Sequence, residues 1–218
     1  MLSIFDKLRE WRLSSKEQQS SQSTPSIQLI VGLGNPGTNY SNTRHNTGAR
    51  WVRAVAAEYA IPLKHESRFK GEIGHGKILD RDVRVLIPTT FMNLSGQSVS
   101  TLIRYFKISP SKMLVVHDEV AFPTGVSKLK VGGGLNGHRG LESIVQTLGG
   151  DKDFARLRIG VGHPGDPDSL SAYLTKREMP SKERELATGS AALENDVFEA
   201  LLDGEMQRAM GLFHSGSA

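Results

Sequence analysis

The sequence contains no cysteine among its 218 residues. This absence excludes disulfide bonds and thiolate chemistry, and it favours a reducing compartment. No run of apolar residues approaches 18, so the sequence predicts no membrane-spanning helix. Internal repeats are also absent. What remains is a globular chain long enough for one domain with a full hydrophobic core.

The composition is that of an ordinary globular protein with a small basic excess. Hydrophobic residues make up 38% of the chain and charged residues 23%, which are average values. The 27 lysines and arginines against 23 acidic residues give a net charge of +4. An excess of this size suits a polyanionic partner without requiring one.

The first 26 residues differ from the rest of the chain. MLSIFDKLREW can form a short amphipathic helix, and SSKEQQSSQSTPS is polar and low in complexity. This pattern predicts a disordered or weakly helical N-terminal extension before a domain at 27–218. An organelle-import segment is the alternative, which Asp6 and Glu10 disfavour. We expect a cytoplasmic protein.

Strand-like and helix-like segments alternate between residues 27 and 218. The strand-like runs are IQLIVGL, VRVLIP, MLVVHD and LRIGVG. Apolar residues recur at helical spacing in ARWVRAVAAEYA, from Val99 to Phe106 and from Leu141 to Leu148, and the tail from 181 to 213 is helical and acidic. This order predicts a single α/β domain with a mainly parallel sheet covered by helices on both faces. Sites in such folds lie beyond the carboxyl ends of the strands.

The first strand leads into a glycine pattern, LIVGLGNPG at 29–37. Its spacing, G-x-G-x-x-G, matches a dinucleotide-binding loop. Pro36 disfavours a helix immediately after Asn35, and no acidic residue ends a clear second strand about 20 residues later, as that loop requires. The alternative to a dinucleotide loop is a tight turn that presents Asn35 where the strand ends.

Three more polar residues follow strand or turn segments. His45 lies at the predicted start of the first helix, Asn93 lies where a strand gives way to a helix, and Asp118 ends the strand MLVVHD. With Asn35 they are the candidate catalytic residues. Side chains alternate along a strand, which predicts that the carboxylate of Asp118 faces the site without its neighbours.

This set has a chemical logic. A neutral histidine removes a proton from water, and a carboxylate on its other ring nitrogen fixes the tautomer and stabilises the imidazolium. Asparagine amides donate to an oxyanion or hold a carbonyl. No serine or cysteine is placed as a nucleophile, which favours direct attack by water. Each residue also has a structural explanation: an Asn-Pro turn for Asn35, a helix N-cap for Asn93, a surface position for His45 and a loop cap for Asp118.

A second set of candidate residues is basic. Lys128 and Lys130 alternate in VSKLKV, Arg139 enters a helix after a glycine-rich loop, and Arg156 and Arg158 flank Leu157. This set predicts either a solvated face or a phosphate clamp assisted by backbone N–H groups. The seven histidines show no metal-ligand spacing, so we expect no metal and no cofactor.

Five segments, in this order, resemble bacterial-type peptidyl-tRNA hydrolases: LIVGLGNPGTNYSNTRHNTG, PTTFMNLSG, VVHDEV, GGGLNGHRGL and RLRIGVGHPG. The resemblance runs from Ile27 to the end of the chain. It implies a monomeric, single-domain three-layer α/β/α sandwich with a mixed, mainly parallel sheet. It also implies hydrolysis of the ester between a peptide and the 3′ ribose of tRNA, which returns tRNA to translation. The acceptor stem, 3′ end and 5′ phosphate of peptidyl-tRNA would be contacted.

The resemblance implies a role for each matching residue. His45 matches the base that activates water, and Asp118 matches the carboxylate that keeps this base active. Asn35 matches the residue that reads the blocked amine, and Asn93 matches one that holds the substrate near the ester and contacts tRNA. The other tRNA-binding matches are Tyr40, Phe91 and Arg139, together with Lys130 and Arg158 as the 5′-phosphate clamp. The segment after Gly162 corresponds to a mobile lid.

One loop departs from the family pattern. The family usually has GHNG, whose asparagine contacts tRNA and the catalytic water, whereas this chain has GHRG and therefore Arg139. Leu135 and Asn136 stand where histidine and glycine are common. Two roles for Arg139 compete: an outward contact with a tRNA phosphate, or a fixed charge beside His45.

Two other functions stay open. Plant relatives with this fold act in intron splicing, so a binding module is one alternative. An esterase for small acyl substrates is the other, and it would not need the Lys130–Arg158 pair. The four candidate catalytic residues favour the enzyme.

Overall fold

A computed structural model of the protein describes residues 26–216. Its strands are β1 (Leu29–Gly32), β2 (Lys64–Glu66), β3 (Gly71–Ile78), β4 (Arg81–Pro88), β5 (Met113–Glu119), β6 (Ser127–Val131) and β7 (Ala155–Gly160). Its helices are α1 (Thr47–Glu58), α2 (Ser95–Phe106), α3 (Arg139–Thr147), α4 (Leu170–Thr175), α5 (Ser181–Ser190), α6 (Asn195–Leu202) and α7 (Met206–Ser215). Apart from Ser26, the predicted N-terminal extension lies outside the described residues. Within 26–216 no helix combines the length and apolar character needed to span a bilayer.

The sheet is mixed, with a parallel centre. Its strand order is β2-β3-β4-β1-β5-β7-β6. The four neighbours β4, β1, β5 and β7 are parallel, whereas β3 runs antiparallel to both β2 and β4, and β6 runs antiparallel to β7. The prediction of a mixed, mainly parallel sheet is confirmed. Because parallel strands end at one edge, the residues that follow β1, β4 and β5 are brought together there.

Helices cover both faces of the sheet and form two hydrophobic cores. One core packs α1 and the C-terminal helices against the sheet, and the other packs α2 and α3 against its opposite face. The predicted helical tail belongs to the first layer: the indole N–H of Trp51 on α1 donates to the carbonyl of Ala191 at 2.9 Å, and its ring stacks on Phe198 of α6. This arrangement is the expected three-layer sandwich.

The sequence patterns missed β2 and β3. Strand β3 pairs with β4 over eight residues, yet its sequence, GEIGHGKI, lacks the apolar alternation of a half-buried strand. Glycine replaces apolar side chains here because Ile61 packs directly on the backbone. A Cβ at Gly74 would lie 2.6 Å from an Ile61 methyl carbon, and one at Gly76 would lie 2.8 Å from Ile61 Cγ1. Strand β1 is also shorter than predicted, since it ends at Gly32, three residues before Asn35.

Candidate active site

A cavity of about 450 Å³ opens at the edge of the sheet where the parallel strands end. Residues from five separated parts of the chain line it. They are Asn35, His45, Phe91, Met92, Asn93, Asp118, Glu119, Val120, Asn136, Gly137, His138, Arg139, Pro167, Leu170, Ser171, Leu174 and Thr175. All four candidate catalytic residues belong to this lining.

His45 and Asp118 form a buried hydrogen-bonded pair at the base of the cavity. His45 Nδ1 lies 2.9 Å from Oδ1 and 3.0 Å from Oδ2 of Asp118. Burial lowers the pKa of His45, but the charge of Asp118 and this hydrogen bond outweigh it, so the pKa is raised above 6.5. Burial acts in the opposite sense on Asp118, and its two histidine neighbours nevertheless hold the pKa of that carboxyl well below its usual value. With Nδ1 on the carboxylate, Nε2 is the nitrogen that can face the cavity.

His138, which the sequence analysis passed over, is the second histidine on this carboxylate. Its Nε2 lies 3.1 Å from Asp118 Oδ1, and its Nδ1 accepts the backbone N–H groups of Gly140 and Leu141 at 3.2 and 3.3 Å. A nitrogen that accepts two N–H groups carries no proton, so we assign the ring proton to Nε2. His138 therefore caps α3 and donates to Asp118 at once. We call His45, Asp118 and His138 the histidine–aspartate cluster.

His117 lies directly beneath this cluster and stays neutral. It is 1% exposed, its ring centre lies 4.9 Å from that of His138, and its Nδ1 lies 2.7 Å from the carbonyl oxygen of Asp118. Burial, together with the neighbouring His138, lowers the pKa of His117 to about 3. A neutral imidazole packed here adds no positive charge to the cluster.

Close packing of α1 on the sheet places His45 above Asp118. A one-turn 3₁₀ helix, Arg44–Asn46, precedes α1 and carries His45. A Cβ at Gly48 would lie only 2.1 Å from the carbonyl oxygen of Val116, so only glycine allows this approach between α1 and β5. His45 is consequently 7% exposed and not a surface histidine.

The glycine turn after β1 is closed by protein groups. The amide N–H of Asn35 donates to Asn46 Oδ1 at 2.8 Å, and Asn46 Nδ2 donates to the carbonyl of Asn35 at 2.9 Å. Asn35 Oδ1 accepts the backbone N–H of Met92 at 2.8 Å, which leaves its amide NH₂ for the cavity. The backbone N–H and carbonyl of Asn35 are thus bonded to the Asn46 side chain and are not free to bind a phosphate. This argues against a dinucleotide-binding loop.

Asn93, Phe91 and Tyr40 form the rim beside this turn. Asn93 is exposed and makes no helix cap, since the residue that precedes α2 is Leu94. The Phe91 side chain is 55% exposed and meets the Tyr40 ring edge-on, with centres 6.5 Å apart. An aromatic pair whose Phe91 ring is exposed beside the cavity is a surface on which a base can stack.

Glu119 corrects the prediction for Asp118 and bears on the prediction for Arg158. It lines the cavity together with Asp118, so Asp118 does not face it alone. Its Oε2 accepts Nε and Nη2 of Arg158 at 3.0 and 2.9 Å, and Asn136 Nδ2 donates to the same oxygen at 3.2 Å. The predicted clamp residue Arg158 therefore already has a carboxylate partner, and its guanidinium lies 4.4 Å from the centre of the Phe122 ring. Glu119 reaches the cavity because it is the last residue of β5.

Lys130 and Arg139 are both exposed, on either side of the glycine-rich loop. Lys130 pairs in register with Arg156 across β6 and β7, and its Nζ would lie 2.9 Å from a Cβ on Gly133. Arg139 begins α3 and lines the cavity, where its charge lowers the pKa of His45. The structure thus brings Arg139 to the same cavity as His45.

Helix α4 supplies the opposite wall, at the position expected for a lid. Leu170, Ser171, Leu174 and Thr175 face the cavity from it. Two of these residues carry hydroxyls, which the sequence analysis did not anticipate. Thr175 Oγ1 donates to the carbonyl of Ser171 at 2.7 Å, and within 26–216 neither hydroxyl is hydrogen-bonded to His45. Neither has the partner that would activate it as a nucleophile.

The histidine–aspartate cluster is also the group within 26–216 that could hold a metal ion, since its three ligand atoms lie within 4.8 Å of one another. Histidine spacing in the sequence could not show this proximity. At 2.9 and 3.1 Å, however, both imidazoles are at hydrogen-bond distance from the carboxylate. Hydrogen bonds alone account for the geometry.

An α/β/α sandwich with a histidine–carboxylate cluster in a cavity at its strand ends defines a hydrolytic enzyme. Comparison with known proteins makes the assignment specific. The model of the family described as peptidyl-tRNA hydrolase matches residues 29–218. The chain belongs to the peptidyl-tRNA hydrolase family.

Individual relatives agree with this assignment. The chain is 47% identical over 194 residues to a peptidyl-tRNA hydrolase of Shewanella frigidimarina, covering 88% of this chain and 98% of that protein. It is 45% identical over 192 residues to the enzyme of Azotobacter vinelandii, with the same two coverages. The crystal structure of peptidyl-tRNA hydrolase from Acinetobacter baumannii superposes with a TM-score of 0.81 at 42% identity, covering 89% of this chain and 96% of that one.

Proposed function

We propose that the protein hydrolyses the ester between the peptide and the 3′ ribose of peptidyl-tRNA, with His45 as general base, and so releases free tRNA for translation. The observation that carries this proposal is the bond from His45 Nδ1 to the buried Asp118, which directs Nε2 to the cavity. Membership of the family supports the substrate class.

The chemistry follows from this geometry. His45 Nε2 takes a proton from water as the water oxygen attacks the ester carbonyl. The carboxylate of Asp118 stabilises the imidazolium that forms. The amide groups of Asn35 and Asn93 hold the substrate and donate to the developing oxyanion. The tetrahedral intermediate then expels the ribose 3′ oxygen, which takes the proton back from His45.

The RNA lies across the rim and the basic strands. We assign base stacking to Tyr40 and Phe91, and contacts with the 5′ phosphate to Lys130 and Arg158. Arg139 lies between these two regions, within reach of both a phosphate and His45. We further propose that residues 27–218 are the catalytic unit and that the protein acts as a cytoplasmic monomer.

The test compares three substrates with the purified full chain: N-acetyl-aminoacyl-tRNA, the same tRNA with a free amine, and a small N-acetyl-amino acid ester. We expect fast release of tRNA from the first substrate only. Similar rates on the first and third would indicate a general esterase. Binding of all tRNAs without turnover would indicate a binding module, and either result would overturn the proposal.

A further inference from the structure

Helix α4, which forms one wall of the cavity, has few buried contacts that could fix its position. It comprises six residues, and none of them is buried. Only Leu174 packs, partly buried, against the first hydrophobic core, so apolar burial contributes little to the position of this short helix. Its position over the cavity must therefore depend on polar and aromatic contacts with neighbouring elements.

One arginine supplies the central contact. Arg44 immediately precedes His45, and its side chain is 6% exposed. Its Nη2 donates to Glu183 Oε2 on α5 at 2.6 Å, and its guanidinium lies 3.9 Å from the centre of the Tyr173 ring on α4. A single buried guanidinium thus joins the 3₁₀ turn that carries His45 to the helices on both sides of residues 176–180.

Backbone contacts extend the same junction. The N–H of Met179 donates to the carbonyl of Asn42 at 2.9 Å, and Thr43 forms an antiparallel bridge with Glu178. On the other side of α4, the Tyr173 hydroxyl donates to the carbonyl of Val161 at 2.7 Å. The guanidinium contacts and the Tyr173 hydroxyl bond are the parts of this junction that side-chain substitution can remove without altering the backbone.

We propose that Arg44 is a positioning residue that holds α4 closed over the cavity through Glu183 and Tyr173. This inference rests on the proposed function, because the wall closes over the peptidyl ester. Apparent affinity falls in proportion to the fraction of molecules in the binding-competent form. Releasing α4 therefore weakens substrate binding and leaves the chemistry at His45 intact once the substrate has bound.

The decisive variant is Glu183→Gln, because Glu183 does not line the cavity and is partly exposed. We expect KM for N-acetyl-aminoacyl-tRNA to rise about 3- to 10-fold while kcat stays within about twofold. Tyr173→Leu should act in the same direction. Arg44→Met combined with Glu183→Gln should raise KM no further than Arg44→Met alone, because both changes remove one contact.

A matched control is Arg81→Met, which breaks another arginine–carboxylate pair, Arg81 to Asp203 at 2.7 Å, outside the cavity lining. It should leave KM unchanged. Amide hydrogen exchange in residues 163–177, measured without substrate, should be faster in Glu183→Gln and unaltered in Arg81→Met. Unchanged exchange in Glu183→Gln would overturn the inference, even if the assigned substrate proved wrong. Faster exchange with an unchanged KM would overturn it as well.

Discussion

The histidine–aspartate cluster lies at the carboxyl ends of the central strands and the basic strand pair lies at one side of the sheet, and the two are built differently. In the cluster, the Asp118 carboxylate is buried and accepts from two imidazoles, whose orientations it thereby restricts. In the basic pair, formed by β6 and β7, Lys128 and Lys130 are exposed, and Nε and Nη2 of the buried Arg156 have no hydrogen-bond partner within 26–216. The polar groups of the cluster are thus held in fixed orientations, whereas the two lysines of the basic pair lie exposed to solvent.

The largest expected effect comes from removing the cluster's base. His45→Ala should lower kcat by about 10²-fold or more, because general base catalysis contributes that much. Binding of tRNA should stay near normal, since the basic strands are untouched. His75→Ala is the control, because His75 is an exposed histidine on β3. Steady-state rates and a tRNA titration decide the matter, and near-normal turnover would refute the role of His45.

The second expected effect comes from removing the carboxylate of Asp118, which is hydrogen-bonded to His45. Asp118→Asn should slow turnover by about tenfold or more, because an amide cannot stabilise the imidazolium. Asp118 raises the pKa of His45, so its loss lowers that pKa and keeps the base neutral at lower pH. The acid limb of kcat/KM should therefore move to lower pH. A limb that stays in place would mean that the limb reports another group.

The third expected effect separates two cations of the basic surface. Lys130→Ala should weaken tRNA binding several-fold and reduce the log–log salt slope by about one. Arg158→Ala should do less, because Glu119 already neutralises that guanidinium. Lys64→Ala, on the opposite edge strand, serves as the control. Equal effects of the two alanine variants would show that RNA displaces Glu119 from Arg158.

The smallest expected effect lies between the two regions, at Arg139. Its charge lowers the pKa of His45, so Arg139→Asn should raise that pKa and move the acid limb of kcat/KM to higher pH. A lower tRNA affinity with an unmoved limb would assign the charge to RNA instead. Full pH profiles at two salt concentrations distinguish these outcomes, and a variant that changes neither would make Arg139 a bystander.

Local patterns in the sequence were enough to predict the central parallel strands and the pairing of His45 with Asp118. Continuous apolar runs marked β1 and β5, and the common edge of parallel strands predicted that the residues after them would meet. His138 was missed because nothing in GHRG shows that a capping imidazole will also reach a strand 20 residues earlier. The pairing of Arg158 with Glu119 was missed because the two residues are 39 positions apart and no local pattern links them. Both contacts join segments that are distant in the sequence, and only the folded chain shows them.

The two hydrogen-bonding roles of His138 also limit how this protein can be engineered. Serine or asparagine caps a helix well, but the imidazole of His138 also donates to Asp118, so a better cap for α3 would remove a donor from the active site. Substitutions that raise thermal stability should therefore begin at helix N-caps whose residue makes no hydrogen bond to the candidate active site. Glu194 before α6 makes no side-chain cap, which makes Glu194→Asp or Glu194→Ser the safer first step.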